Sequence, residues 1–490
     1  MLHSLSVALR KQWRVGWTFT LATVLSVLVP AVAWASDPAH GDGVEHANLG
    51  DFLPIWSVLP FAGLLLSIAL MPIFAEHFWH KTKNQLIVAV GWASPVFAYL
   101  IYLLVTDDHG LAYAANHGLA HAIAEYVSFI ALLGSLYVIS GGILLRGDLQ
   151  AKPSVNTLFL LIGAVLSNVI GTTGASMLLI RPMLRTNADR KHVWHIPLFF
   201  IFLVSNIGGA LTPIGDPPLF LGYLRGVPFF WTLFNLWSIW LPVVLLLLGM
   251  FYVLDTLMYR KESPADLKRD DGNVEPLGLE GNLNFLLLGG VIAAVLLLSP
   301  DSEHPGFRDY YVREIAMFGL AGISMAMTSR SIRQRNKFEW GPIAEVGALF
   351  LGIFVAMIPA TALLTVHGGA IGLTEPWQYF WATGGLSAFL DNAPTYVTFA
   401  SLACSDPTIG CTAEALGPLA SGPSAPVLVA ISLGAVFCGA GSYIGNGPNF
   451  MVRAIAESSG YKMPSFFGYV GYATVFLAPV FILVTLIWLI

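Results

Sequence analysis

Residues 208–218 read Gly208-Gly209-Ala210-Leu211-Thr212-Pro213-Ile214-Gly215-Asp216-Pro217-Pro218, in the middle of an otherwise apolar stretch, 194–224. A regular helix does not run through them. Proline lacks the backbone N–H and clashes with the preceding turn, and glycine forfeits helix stability. The stretch is nevertheless long enough to cross a hydrocarbon layer, where unwound backbone is tolerated only if protein or a wet cavity covers it. The spacing therefore predicts a broken transmembrane helix. That reading sets the fold class: an all-α polytopic membrane protein whose polar chemistry lies at helix interruptions.

Composition agrees. Of 490 residues, 56% are hydrophobic and 11% charged, against roughly 25% charged in soluble domains. The net charge of -5 leaves no basic excess for a phosphate backbone, which excludes nucleic-acid binding. Three cysteines make neither a disulfide scaffold nor a zinc motif, although Cys404 and Cys411 share a polar outer loop that permits a bridge. Arg10, Lys11 and Arg14 precede the apolar run Trp17 to Val32 and then Ala33-Trp34-Ala35, so residues 1–35 read as a signal peptide or signal anchor.

Ordinary spans are predicted near 52–74, 84–105, 126–145, 229–257, 283–299, 311–328, 342–366 and 466–490, with a second broken helix at 426–455. Two stretches, 155–181 and 376–402, are interrupted by Asn, Asp, Thr and Gly and read as re-entrant hairpins. With residue 36 outside, 18 of the 24 Lys and Arg fall in inside loops and three, Arg225, Arg308 and Arg313, outside. Positive charge is retained in the cytoplasm, so the asymmetry supports both hairpins. It implies a bacterial-type inner membrane with the C-terminus outside. His117 and His121 have metal-compatible spacing but no accompanying ligand motif, and read as a solvated loop.

Self-similarity supplies the architecture. Ile123-Ala124-Glu125 recurs as Ile343-Ala344-Glu345, an offset of 220 residues. Ser167-Asn168 pairs with Asp391-Asn392, an offset of 224, and Ile214-Gly215-Asp216-Pro217-Pro218 with Ile444-Gly445-Asn446-Gly447-Pro448, an offset of 230. Two repeats follow, 36–262 and 282–490, joined by a cytoplasmic linker at 263–281. Five crossings per half make the second repeat inverted, and inverted repeats place substrate and coupling ions near the midplane.

The residues at the interruptions then become the candidate site. Ser167, Asn168, Thr172, Thr212, Asn392, Thr395 and Asn446, with backbone at Gly208, Gly209, Gly215, Gly439, Gly441 and Gly445, offer hard oxygens to a small cation. Asp216 and Asp391 are carboxylates at membrane depth, where charge is expensive and usually functional. Each must hold a cation or take a proton, so Na+ is expected at Asn168, Asp216, Asp391 and Asn392, with Asp216 and Asp391 as the proton-coupling pair. Glu125 and Glu345, near span ends, read mainly as snorkelling or capping groups.

These motifs, GGALTPIGDPP from Gly208, SNVIGTTGAS from Ser167 and LDNAP from Leu390, resemble the ion transporter superfamily, which includes citrate and divalent-anion transporters and NhaD-type sodium/proton antiporters. The resemblance covers about 50–490 and implies an 11-span-like fold, helical hairpins, a homodimer and elevator-type movement. Carboxylate carriers carry Ser-Asn-Thr at both hairpin tips. Here Val169 replaces the first Thr, and Asp391 the second Ser. The Asp391-Asn392-Ala393-Pro394 run is similar to the antiporters' DNxP element, whereas GDPP is closer to the carriers' GTPPN. The leading expectation is a sodium/proton antiporter that is not an enzyme and has no cofactor beyond its ions. The alternative is sodium- or proton-coupled transport of a citrate-like di- or tricarboxylate. An intramembrane aspartyl protease would require GxGD, and the sequence reads Pro213-Ile214-Gly215-Asp216.

Overall fold

The computed structural model describes residues 48–265, 270, 275–298 and 311–490; the predicted signal segment, 1–35, lies outside the described residues. Among these, eight helices are long and apolar enough to cross a bilayer, and the protein is an all-α polytopic membrane protein. Leaving helices of six residues or fewer unlabelled, the order is α1 (Leu59–Phe74), α2 (Thr82–Thr106), α3 (Ala112–Ser140), β1 (Leu144–Asp148), α4 (Pro153–Thr186), α5 (His195–Leu203), α6 (Pro217–Leu224), α7 (Trp231–Tyr259), β2 (Glu275–Glu280), α8 (Leu283–Leu297), α9 (Val312–Met327), α10 (Gly341–His367), α11 (Pro376–Ser387), α12 (Asn392–Ala403), α13 (Ala425–Cys438), α14 (Gly447–Ser458) and α15 (Phe466–Val484).

The chain forms two compact units, one of residues up to Ile130 with Glu339–His367, the other of Ala131–Phe338 with Gly368–Ile490. Each predicted half gives residues to both. In the first unit α10 packs on α2, Phe129 stacks on Phe350 at 4.4 Å, and the Tyr126 hydroxyl donates to the Gly347 carbonyl at 2.9 Å. Glu125 and Glu345 belong here, not with the helix breaks. Glu345 accepts from Gln85 Nε2 at 2.7 Å, and Glu125 lies 3.7 Å from His121 Nδ1.

In the second unit α4 is not one rod. Asn156 and Asn187 exchange amide hydrogen bonds of 2.9 and 2.7 Å, although 31 residues of continuous helix would separate them by about 46 Å. The chain folds back at Gly171, whose φ of 76° and ψ of 154° fall in a region essentially reserved for glycine. Its arms, 153–170 and 172–186, therefore lie side by side. The helices α11 and α12 also pack on each other, across a break at Ala388–Asp391.

The third span and the linker differ from the sequence reading, and His117 and His121, read as a solvated loop, lie on α3. The third span ends at Ser140, and Leu144–Asp148 is instead a strand paired antiparallel with Glu275–Glu280, inside the predicted linker. Arg335, on the short helix Arg330–Arg335, pairs with Glu280 of this ladder, and Arg146 Nε lies 3.5 Å from Glu280. Cys404 and Cys411 are bonded, closing a small loop after α12. Further along, this segment is anchored by Arg225 Nη1 donating to Ala413 O at 2.6 Å and Leu416 N donating to Arg225 O at 2.7 Å.

Alanine at Gly171 should cost about 1–3 kcal/mol and lower the thermal midpoint followed by tryptophan fluorescence. Alanine at Gly319, inside α9 where an added Cβ meets nothing, should leave it unchanged or slightly raised.

Candidate functional site

The two long broken segments unwind in the same way. After α5 the chain makes a short 3-10 turn, extends at Thr212 (φ -139°, ψ 154°), and re-enters a helix after Asp216 (φ -141°, ψ 143°). After α13 it repeats this at Ser442 (φ -145°, ψ 174°) and Asn446 (φ -155°, ψ 140°). All four positions obey the offset of 230 residues. The glycines serve close approach: a Cβ on Gly215 would strike the Gly209 carbonyl oxygen, and one on Gly445 would lie 2.6 Å from that of Gly439.

Backbone freed by a break inside a membrane must find partners, and most of it does so within the protein. Gly208 O accepts from Asn168 Nδ2 at 2.6 Å and Trp240 Nε1 at 3.2 Å. Gly215 O accepts from Thr172 N, and Gly439 O from Asn449 Nδ2, both at 2.8 Å. These carbonyls, expected as cation ligands, accept hydrogen bonds that hold the breaks in shape. Asn168 is similarly committed, because its Oδ1 accepts from Leu211 N at 2.8 Å and its carbonyl from Thr212 Oγ1 at 2.6 Å. Ser167 Oγ donates to Val204 O at 2.7 Å. Ser167, Asn168 and Thr212 thus lock the first hairpin onto the first break.

The centre of the site is the Asp216 carboxylate, 1% exposed. Oδ1 accepts from Thr172 Oγ1 at 2.8 Å and Asn446 Nδ2 at 2.9 Å, and Oδ2 accepts from Asn392 Nδ2 at 2.5 Å. These donors come from the first hairpin, the second broken segment and the second hairpin. All of them stand at helix starts: Asp216 and Asn446 immediately precede α6 and α14, Asn392 opens α12, and Thr172 opens the second arm of α4. A helix N-terminus carries roughly half a positive charge, so four such ends dress one buried acid.

Asp391 lies beside this cluster, close enough for its charge to act on Asp216. It is half-buried, caps α12 by accepting from Ala393 N at 3.1 Å, and has its carbonyl bonded by Thr395 Oγ1 at 2.9 Å. Among the described residues its second carboxylate oxygen accepts no hydrogen bond. The neighbouring Asn392 Oδ1 is buried without a partner. A buried amide oxygen of this kind is costly unless something fills its coordination. Two consecutive residues therefore present two uncommitted hard oxygens at the second hairpin tip.

Geometry also shifts the repeat register. Asn168 sits three residues before the first break, whereas Asn392 is the first residue after the second. The equivalent pairs are Ser167 with Ser387 and Thr172 with Asn392, both at the offset of 220 already carried by Glu125 and Glu345. The function of these pairs agrees: Ser387 Oγ donates to Ala435 O at 2.6 Å as Ser167 does to Val204 O, and Thr172 and Asn392 grip the same carboxylate. Asp391 then occupies the position of Gly171. The expected pairing of Ser167-Asn168 with Asp391-Asn392 at an offset of 224 gives way, because it rested on one shared residue type, Asn, rather than on the break.

Sequence reasoning also passed over Asn206 and Asn449. Asn206 Nδ2 donates to Asn449 Oδ1 at 2.7 Å, and Asn206 Oδ1 accepts from Asn446 Nδ2 at 3.2 Å, so a chain of buried amides joins the breaks. Their signal was available as amide residues inside apolar runs.

Hairpins, broken segments and a carboxylate held among helix ends are the architecture of a membrane transporter. Over residues 50–489 the chain matches the family described as "Putative citrate transport", and it belongs to that family. No curated protein matches it. The family description fits the carboxylate alternative better than the NhaD-type antiport expected first.

Thr172→Val removes one charged hydrogen bond from Asp216 and should cost about 1.5–3 kcal/mol, read as a lower thermal midpoint. Thr172→Ser, which keeps the donor, should restore most of it.

Proposed function

We propose that the protein is a secondary transporter that moves a small di- or tricarboxylate of the citrate class together with a cation, Na+ or H+. The observation that carries this reading is the charge balance around Asp216. Four helix N-termini contribute roughly +2 in total, at about half a charge each, and Asp216 and Asp391 offset this when both are ionised. An anion gains nothing by approaching such a neutral site. A cation on the free oxygens of Asp391 and Asn392, or a proton on Asp391, leaves a positive surplus at the helix ends, and a carboxylate is then attracted. Cargo and cation are coupled because neither binds well alone.

In this mechanism Asp216 is the fixed member. Its three donors leave it little freedom, and it holds the hairpins and breaks in register. Asp391 is the exchanging member, since it is partly exposed and has one uncommitted oxygen. Asn392 links them, giving its amide N–H to Asp216 and its oxygen to the cation. Family membership supports the cargo class, and the donor set of hard oxygens supports a small cation.

Purified protein in proteoliposomes tests this. Radiolabelled citrate, or another di- or tricarboxylate in a panel, should accumulate when an inward Na+ or H+ gradient is imposed and not without one. Asp391→Asn should cut gradient-driven accumulation at least tenfold. Absence of carboxylate flux across the panel, together with collapse of a pH gradient on adding Na+, would reinstate sodium/proton antiport.

A further inference from the structure

The lipid-facing side of α7 carries an apolar groove of about 560 Å³, whose wall includes Leu245, Gly249, Val253 and Leu257 and, from α15, Phe476. The first four follow one another at intervals of four residues and so form one i, i+4 row inclined to the helix axis. Leu245, Val253 and Leu257 are about half exposed. Gly249 makes the notch, since a Cβ built there meets nothing within 4 Å.

Lys261 stands four residues, about one turn, beyond Leu257 and just past the end of α7, with Arg260 beside it; both are exposed. Among the described residues neither makes an ion pair. The acids of this helix end do not oppose them. Asp255 is buried against Arg190 Nη2 at 2.6 Å and His195 Nε2 at 2.9 Å, and Glu262 accepts from the backbone N–H groups of Lys191 and His192. From Leu245 to Leu257 the groove runs about 18 Å, close to the ~15 Å depth of one leaflet of hydrocarbon. Two cations therefore stand where a headgroup begins, above an apolar trough one acyl chain deep.

We propose that this groove is a binding site for one anionic phospholipid, with an acyl chain along Leu245–Leu257 over Gly249 and the phosphate at Arg260 and Lys261. The apolar trough supplies burial, and the cations select charge, as basic residues at the headgroup level do. The site is independent of the cargo and of the coupling ion, so it stands or falls apart from the transport reading.

Native mass spectrometry of the purified protein titrated with dioleoylphosphatidylglycerol or dioleoylphosphatidylcholine tests it. One phosphatidylglycerol should bind about tenfold more tightly than phosphatidylcholine. Gly249→Phe, which fills the notch, should remove the tight site for both lipids. Arg260→Gln with Lys261→Gln should leave binding but abolish the preference. Thermal midpoints check folding, and Gly249→Leu serves if the phenylalanine is not accommodated. Equal affinity for the two lipids, binding unchanged by filling the notch, or equally tight binding of glycerol phosphate without acyl chains would overturn the proposal.

Discussion

A carboxylate buried at membrane depth has to be surrounded by donors, and in this protein that requirement is met at Asp216 by Thr172, Asn392 and Asn446. Desolvating a charge without such partners would cost several kcal/mol or more. The donors are side chains, the hydroxyl of Thr172 and the amides of Asn392 and Asn446. They come from places where helices begin, and for several helices to begin near one point inside a bilayer the chain must break there. The interruptions at Gly171, Thr212–Asp216, Ala388–Asp391 and Ser442–Asn446 are thus parts of one solution. Asn168, Trp240, Asn449 and Tyr469 donate to further carbonyls freed at the breaks.

The repeats solve this problem unequally, and the inequality matters for function. At the first hairpin the tip is closed by its own residues: Gly171 turns the chain and Asn168 saturates the first break. At the second hairpin the equivalent of Gly171 is Asp391 and the equivalent of Asn168 is Ala388. Replacing an amide by a methyl group and a glycine by an acid opens the tip and gives it uncommitted oxygens. Near-symmetry builds the scaffold, and the departure from symmetry leaves uncommitted oxygens at the second tip, the place where the proposed cation would bind.

Much of this was legible in the chain. Proline and glycine clusters within apolar stretches marked both broken segments, because no continuous helix tolerates them, and the intramembrane acids marked the site because charge there is rarely incidental. Polar residues at the hairpin tips pointed to Thr172 and Asn392, which the structure places on the Asp216 carboxylate. The pairing of Asn168 with Asn392 did not hold, since identity of residue type says nothing about which side of a break a residue occupies. The carbonyls of Gly208, Gly215 and Gly439 were read as ligands because a sequence shows that backbone is freed but not what recaptures it. Asn206 and Asn449 were missed because their role depends on two segments 243 residues apart meeting.

The sequence by itself determined where helices could not continue, since that depends on local backbone chemistry, and it determined that the chain lives in a bilayer, since that depends on composition. Only the tertiary structure decided which oxygen faces which donor. Hydrogen bonding is directional and spans distances near 3 Å, and at that scale the partners of Asp216, and the idle oxygens of Asp391 and Asn392, follow from the packing of elements far apart in the chain.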